Sequence, residues 1–293
     1  MPHDIDLRKL RYFVAVAEEL NFGRAAQRLH IAQPVLSRQI KAFESELGAE
    51  LFSRGRTGTD LTPAGALLLE DGRPLLAQAG AVQRRLRQSL QPTALLTVGF
   101  MPGLMVTGVV KAFEELMPSV EVETLRLDWS NQTDVVRSGQ VDAAFAREPF
   151  DHLGLWIAPM LEEPRDAVVP RDHPLARQET VTIGELSAER LLQDPAAVPE
   201  WAAHDPGVRR RATQAGAYAL TVEDKLEGVA AGKGVVVLPR SACTFYRRPD
   251  VTVVPVQDLS PTRVVLAMDA GRRLDVGLTT FAAAAKAAAA TLI

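Results

Sequence analysis

FGRAAQRLHIAQPVLSRQIKAFESEL, residues 22–47, reads as two short amphipathic helices meeting at a tight corner. In the second helix Leu36, Ile40, Phe43 and Leu47 recur at steps of four, three and four. At about 100° per residue they share one stripe. Pro34, Arg38, Lys41 and Ser45 fall opposite, and Ser37 flanks them. Gln33 and Pro34 open the helix, where proline is tolerated because the first backbone N–H groups have no partner inside a helix. From Gln33 through Lys41 there is no Asp or Glu, so this half of the helix can approach phosphates without like-charge repulsion. Glu44 and Glu46 follow where such a helix would leave a DNA groove. In the first helix Phe22, Ala25, Ala26 and Leu29 keep helical spacing, and the two alanines permit close packing; His30, Ile31 and Ala32 form the corner. Upstream, Leu7, Leu10, Phe13, Val14, Ala17 and Leu20 predict a third helix behind the pair. Downstream, Leu51 and Phe52 lead into Arg54, Gly55, Arg56, Thr57 and Gly58, a short two-stranded wing with a basic tip. A generic helical bundle with a solvated basic face shares much of this pattern; the acid-free edge favours DNA.

The stretch LRKLRYFVAVAEELNFGRAAQRLHIAQPVLSRQIKAFESELGAELFSR, followed by LTPAG, resembles the N-terminal domain of LysR-type transcriptional regulators from about Leu7 to Gly65. Residue types and spacings agree at once across three helices, the wing and the start of the next helix. The resemblance implies a mixed fold. It comprises an all-α winged helix-turn-helix domain over 1–62, a linker and dimerisation helix over 63–91, and an effector-binding domain over 92–293. That last domain would be two-lobed and α/β, like periplasmic solute-binding proteins, with lobe I at about 95–164 and 256–293 and lobe II at about 165–255. The implied function is sequence-specific transcriptional regulation on double-stranded promoter DNA under a small-molecule effector. Implied partners are further copies of the chain, as homodimer or homotetramer, and RNA polymerase if the protein activates.

Composition suits that design. The chain has 293 residues, 47% hydrophobic and 24% charged, enough for two or three domains. A net charge of −3 makes wholesale coating of nucleic acid untenable, and residues 1–60 carry nine Lys or Arg against eight Asp or Glu. DNA affinity must then come from where charges sit. The single cysteine, Cys243, excludes an intramolecular disulfide, a two-cysteine peroxide switch and a multi-cysteine zinc cluster, and suits a reducing cytoplasm. No N-terminal run has a signal-peptide pattern and no apolar stretch approaches about 18 residues. The expectation is a cytoplasmic protein with no membrane partner.

Thr62 and Pro63 read as N-cap and first helical position of the linker, along which Leu67, Leu68, Leu75, Leu76, Ala79, Val82, Leu86 and Leu90 keep an apolar seam. Gly72 and Pro74 interrupt it. Proline removes a donor and crowds the carbonyl four residues back, at a cost of about 3 kcal/mol, so a bend or break is expected near residues 70–74. The helix should end near Gln91 and Pro92. Beyond Leu95 short strands and helices alternate: LLTVGF, a helix over Leu104–Met117, VEVETLRL, a helix over Ser130–Ser138, then VDAAFA. This predicts a mostly parallel sheet covered on both faces. After DAVVP the chain should cross to the second lobe, with AERLLQ, GAYALT and GVVVLP as strands and helices after Asp205 and after Val222. Near Val253–Pro255 it crosses back, and RVVLAMD with the alanine-rich terminal helix completes the first lobe. DHPLA at 172–176 and GVVVLP at 234–239 again resemble the family's effector domain.

In α/β sheets ligands settle at the carboxyl ends of strands, near helix N-termini. That rule nominates Phe100, Met101, Pro102 and Gly103 as one wall, and Trp129 and Ser130 as a second, with Ser130 as helix cap or ligand donor. Arg147 supplies the cation at the mouth, and Gln193, Asp194, Pro195, Gly234 and Val235 face them from the second lobe. On the DNA side the candidates are Gln33, Pro34, Val35, Ser37, Arg38, Lys41, Arg54 and Arg56. Gln33 can pair with an adenine edge, Val35 can touch a thymine methyl, Arg38 suits guanine or phosphate, and Ser37 and Lys41 suit the backbone.

Two departures from the family pattern bear on this. Many members carry Ser or Thr where Gly103 stands, so here only backbone N–H groups remain for a carboxylate. Members often hold a basic residue where Asp60 lies and another near Thr57 or Gly58, so Arg54 and Arg56 must supply most of the wing's charge. Phe100, Trp129 and Trp201 favour an aromatic or other flat carboxylic acid as effector; no cofactor is expected. A solute receptor of a transport system would explain two lobes but not Leu7–Gly65. An enzyme finds no support: His3, His30, His152, His173 and His204 lack metal-ligand spacing, and no nucleophile motif such as G-x-S-x-G occurs. Neither metal site nor catalytic residue is expected.

Overall fold

The computed structural model describes residues 4–55, 58–88, 94–205, 207 and 221–293. The chain forms two compact units, Met1–Leu86 with Arg137–Gly139, and Arg87–Val136 with Gln140–Ile293. The first holds α1 (Leu7–Glu19), α2 (Phe22–Arg28), α3 (Gln33–Leu47), β1 (Phe52–Gly55), β2 (Gly58–Leu61) and α4 (Pro63–Gln88). Local chemistry sets the starts. The Asp6 carboxylate accepts from the N–H groups of Arg8 and Lys9 at 2.7 and 3.2 Å, and the Asn21 side chain accepts from Gly23 and Arg24 at 2.9 and 3.0 Å. Leu36, Ile40 and Phe43 are buried, as their spacing predicts, against Leu10, Phe13, Val16, Ala25 and Ala26. Phe52 joins this core from the wing, its ring 5.3 Å from Phe13 and 5.6 Å from Phe22. The corner turns through His30 at φ 53°, a left-handed conformation unusual for a non-glycine residue.

The LTPAG run has a packing reason. The Thr62 hydroxyl accepts from the Gly65 N–H at 3.0 Å, capping α4. A Cβ on Gly65 would fall on the carbonyl oxygen of Leu51, which already accepts from Thr62 N–H at 3.0 Å. Only glycine lets the helix start lie against the entry to the wing. Of the bend or break expected near residues 70–74, the break does not occur, since α4 runs as one helix from Pro63 to Gln88 with Pro74 inside it. Packing on both sides of the proline offsets the lost backbone bond. Leu68, Leu69 and Leu76 pack on the helical core, and a Cβ on Gly72 would stand 2.7 Å from Leu10 Cδ1, so α4 lies close against α1 there. The expected end near Gln91, like Leu90, lies outside the described residues.

The second unit runs β3 (Ala94–Phe100), α5 (Thr107–Leu116), β4 (Val120–Arg126), α6 (Asp134–Arg137), β5 (Ala143–Arg147), β6 (Leu155–Glu163), β7 (Arg165–Pro170), α7 (Ile183–Leu186) and α8 (Trp201–His204). It continues with α9 (Val222–Ala230), β8 (Val236–Pro239), α10 (Arg240–Phe245), β9 (Val251–Pro255), β10 (Thr262–Asp269) and α11 (Val276–Ala287). One sheet has the order β4-β3-β5-β10-β6 and the other β8-β7-β9. In the first, β3 pairs in parallel with β4 and β5, while β10 is antiparallel to both β5 and β6. β3, β4, β5 and β6 therefore point the same way, and β10, which returns from the second sheet, runs opposite to them. The second sheet is antiparallel throughout, so the expectation of a mostly parallel sheet holds for the first alone.

DAVVP already belongs to the second sheet as part of β7, so the chain crosses before this stretch rather than after it. AERLLQ is no strand; it makes a single bridge, Leu191 with Val235. The helix expected over Ser130–Ser138 is one turn starting at Asp134. GAYALT and the helix expected after Asp205 fall outside the described residues apart from Thr221. Sequence patterning passes over β6 because LWIAPMLEE is half-buried along most of its length and shows no clean alternation. Around the first sheet, Phe113, Phe145 and Phe281 anchor the core, with Phe113 and Phe281 meeting edge to face at 5.2 Å.

Candidate functional site

The first unit presents a recognisable surface. On α3, Gln33, Pro34, Val35, Arg38 and Lys41 are exposed and Ser37 is half-buried. Arg38 and Lys41 make no hydrogen bond or ion pair to any described residue, so both cations are available. Other charges nearby are engaged. Arg24 bonds Glu19 at 3.2 Å, Arg28 bonds Glu18 at 2.7 Å, and Arg73 bonds the same Glu18 at 3.2 Å. The two acids at the rear of α3 are turned away from its leading edge. Glu44 accepts from the Leu51 and Phe52 N–H groups at 2.8 and 3.2 Å, tying the helix to the wing, and Glu46 pairs with Lys9. Sequence spacing placed these acids but not their partners. Arg54 lies on β1, though its side chain is outside what is described, and Arg56 lies outside the described residues.

In the second unit a cleft of about 200 Å³, partly open to solvent, lies between the two sheets' lobes. Of the residues nominated from sequence it gathers Met101, Pro102, Trp129, Ser130, Arg147, Gln193 and Asp194. Phe100, Gly103, Pro195, Gly234 and Val235 are not in its lining. Phe100 packs against the first-sheet core and Val235 is inside the second. Pro195 is buried at the start of a 3-10 turn, and a Cβ on Gly234 would fall on the Arg190 carbonyl oxygen. Gly103 sits at φ +85°, where a Cβ would stand 2.6 Å from both Cα and N of Ala242 at the start of α10. The glycine that departs from the family pattern therefore permits backbone contact between the lobes.

Arg147 is not a free cation at the mouth. It is 3% exposed, donating from Nε to Glu163 at 2.8 Å, from Nη1 to the Pro102 carbonyl at 2.8 Å, and from Nη2 to the Ser241 hydroxyl at 2.9 Å. Glu163 accepts in turn from the Ser241 N–H at 3.1 Å. Burial pulls the Arg147 guanidinium below its ordinary range while Glu163 pushes it back. A charge bonded on every side holds the lobes and has little left for a ligand. Gln193 is likewise engaged, accepting from the Val237 N–H at 2.8 Å. Ser130 caps nothing, because α6 begins four residues later. Of the three aromatics considered for a flat ligand only Trp129 lines the cleft; Trp201 is wholly buried in the core.

Sequence reading missed Asp128, Glu148, Arg165 and Lys225, all in the lining. Arg165 pairs with Glu200 and donates to the Ser260 carbonyl at 2.9 Å. Lys225, on α9, makes no ion pair or hydrogen bond among the described residues. Burial lowers its ammonium pKa, and Asp128 and Asp194 draw it back up from a distance. A lysine on a helix in the second lobe carries no local signature, so nothing in the sequence marked it. At the rim, Arg126 bonds Glu223 with both nitrogens, at 3.0 and 2.9 Å, and lies 5.9 Å over the Tyr246 ring. Cys243 is buried, and desolvation with nearby Asp166 and Glu163 pushes its thiol up to about 12, so it holds negligible thiolate at neutral pH. Among the described residues no cluster fits a metal ion, and no helix is long and apolar enough to cross a membrane.

A winged helix-turn-helix with an exposed, acid-free leading edge, joined to a two-lobed cleft, defines a ligand-responsive DNA-binding regulator. The chain belongs to the LysR family of transcriptional regulators: residues 7–66 match the bacterial regulatory helix-turn-helix protein, lysR family, and residues 90–290 the LysR substrate binding domain. It is 32% identical over 258 residues to the transcriptional regulator AlsR of Bacillus subtilis (strain 168), covering 85% of this chain and 84% of AlsR. It is 33% identical over 263 residues to the transcriptional regulator CatR of Pseudomonas putida, covering 87% and 89%. Among solved structures it resembles CbnR, a LysR family transcriptional regulator, at 25% identity and a TM-score of 0.56 over 97% of this chain and 99% of that one. These relatives are transcriptional regulators.

Proposed function

We propose that α3 enters the major groove of promoter DNA as the recognition helix, with Gln33, Val35 and Arg38 reading bases and Pro34, Ser37 and Lys41 set against the backbone. The observation that carries this reading is the open edge from Gln33 to Lys41, where both cations are unpaired while Glu44 and Glu46 are bonded elsewhere. Arg54 and Arg56 would add wing contacts. CbnR, a relative at 25% identity and a TM-score of 0.50, has been crystallised full-length in complex with its target DNA, which supports the same mode here.

The linker helix would pair with that of a second copy. Leu67, Leu75, Val82 and Leu86 are exposed on α4 at 61%, 41%, 48% and 61%, spaced within one stripe, whereas Leu68 and Leu76 face the chain's own core. Covering such a stripe is favourable by about 25 cal/mol per Å². The dimer's two-fold symmetry would be mirrored in an inverted-repeat operator, with homotetramers forming from dimers. The cleft would take a small organic effector bearing a carboxylate, met by Lys225, with Trp129 and Met101 as apolar wall. Effector binding would shift lobe closure and hence subunit spacing. The cytoplasm is the proposed location, with RNA polymerase as partner if the protein activates.

Gel-shift titrations on the fragment upstream of its own gene test the DNA reading. Arg38→Ala should weaken binding and change base preference at one operator position. Lys41→Ala should weaken all sequences alike and reduce the slope of log affinity against log salt by about one. Equal losses on every sequence for both variants would reject the assigned roles.

A further inference from the structure

We propose that the cleft is built for a zwitterion, a small molecule with a carboxylate and a protonated amine, whose carboxylate sits on Lys225 and whose amine sits on Asp128. This rests on the reading of the cleft as the effector site and names the class of effector.

Six side chains with full charges line the cleft: Asp128, Arg147, Glu148, Arg165, Asp194 and Lys225. Arg147 is neutralised by Glu163, and Arg165 by Glu200. Glu148 has Arg263 Nε 2.6 Å from its Oε2, a charge pairing by distance in which that oxygen makes no hydrogen bond, and His152 2.8 Å from its Oε1. The Asp194 carboxylate keeps its charge, but it is exposed to solvent and accepts from the Ala196 N–H at 2.8 Å, capping a 3-10 turn. Lys225 and Asp128 remain, and neither side chain makes a hydrogen bond or ion pair to a described residue. They come from opposite lobes, Lys225 from α9 and Asp128 from the loop after β4, and they feel each other without touching.

Lys225 is largely withdrawn from water and lacks the partner such a charge needs, and Asp128, half-buried in the same cleft, has none either. A plain carboxylate would satisfy Lys225 but add a second negative charge facing Asp128. A plain amine would reverse the fault, and a dicarboxylate would aggravate it. A zwitterion satisfies both residues and leaves the cleft's net charge unchanged. By bonding one lobe at each end it would also favour the closed arrangement over an open one, which is the differential affinity a ligand needs to switch a protein.

The test uses the full-length chain and three matched panels: the standard α-amino acids, the carboxylic acids lacking the amine, and the amines lacking the carboxylate. Thermal-shift screening finds binders and calorimetry ranks them. An amino acid should bind, and its carboxylic acid counterpart should bind at least about 30-fold more weakly. Lys225→Met should abolish binding while Lys225→Arg retains it, and Asp128→Asn should erase the preference for the amine. A carboxylic acid that binds as tightly as its amino acid, or a preference unchanged in Asp128→Asn, overturns the zwitterion and leaves the carboxylate cleft standing. Binding indifferent to Lys225→Met, or no binding by any probe, overturns both.

Discussion

Glu163→Gln should destabilise the effector-binding unit severely, whereas replacing Arg147 and Glu163 together by Met and Leu should cost far less. Both side chains are almost fully buried, at 3% and 1% exposure, and the guanidinium has three bonded nitrogens. Neutralising Glu163 leaves the buried Arg147 charged with only neutral acceptors, the Pro102 carbonyl, the Ser241 hydroxyl and the glutamine amide oxygen, and the amide nitrogen can no longer accept from the Ser241 N–H. Breaking a buried pair in this way costs about 3–5 kcal/mol. For a unit of this size that is a fall of about 6–20 °C in Tm. The double apolar variant removes both charges and both desolvation costs, so its loss should be well under that of the single variant, limited by the unpaired Ser241 and Pro102 groups. Thermal melts followed by circular dichroism on wild type, both single variants and the double variant give the coupling directly. If Glu163→Gln melts like wild type while losing response to effector, the pair belongs to ligand binding and the structural reasoning fails. Additive single and double effects would refute it equally.

Gly103→Ala should lose about 2–5 kcal/mol, the sum of a left-handed backbone and a Cβ pressed on the Ala242 backbone, read by urea unfolding. Unchanged stability would mean the lobes separate freely at that point. Gly65→Ala should cost about 1–3 kcal/mol in the DNA-binding unit, because the methyl meets the Leu51 carbonyl oxygen, and operator affinity should fall with it. The bond to Arg126 holds the Glu223 carboxyl below its usual range. With the folded value depressed, the stabilisation is present above the unfolded value of about 4.3 and is lost as pH falls through the folded one. Melts of wild type and Glu223→Gln should therefore differ at neutral pH and converge on acidification; a constant gap would show that the ion pair contributes nothing.

Much of the DNA-binding unit was legible because its signals are local. The stripe of Leu36, Ile40 and Phe43 fixes which face of α3 is buried, and the opposite face follows without any tertiary information. Thr62 and Pro63 announce α4 for the same reason. Pro74 does not break α4 as an isolated helix might be broken, because the packing of Leu68, Leu69 and Leu76 and the close approach at Gly72 enter only with the neighbouring helices. The cleft was half legible. Strand ends gave Met101, Pro102 and Trp129, and Asp194 followed a stretch that makes only one bridge, but Arg147 read as available because its partner Glu163 is 16 residues distant.

The sequence by itself determined that this chain carries a winged helix-turn-helix with an acid-free leading edge, since helical periodicity and charge placement are properties of neighbours along the chain. It also determined the family, through residue types and spacings kept over Leu7–Gly65. Only the tertiary structure decided which charges are free. Glu44 and Glu46 are turned to the wing and to Lys9, Arg147 is locked between lobes, and Lys225 and Asp128 are left facing the cleft. Electrostatic partners are chosen by proximity in space, and proximity between distant segments is what folding creates.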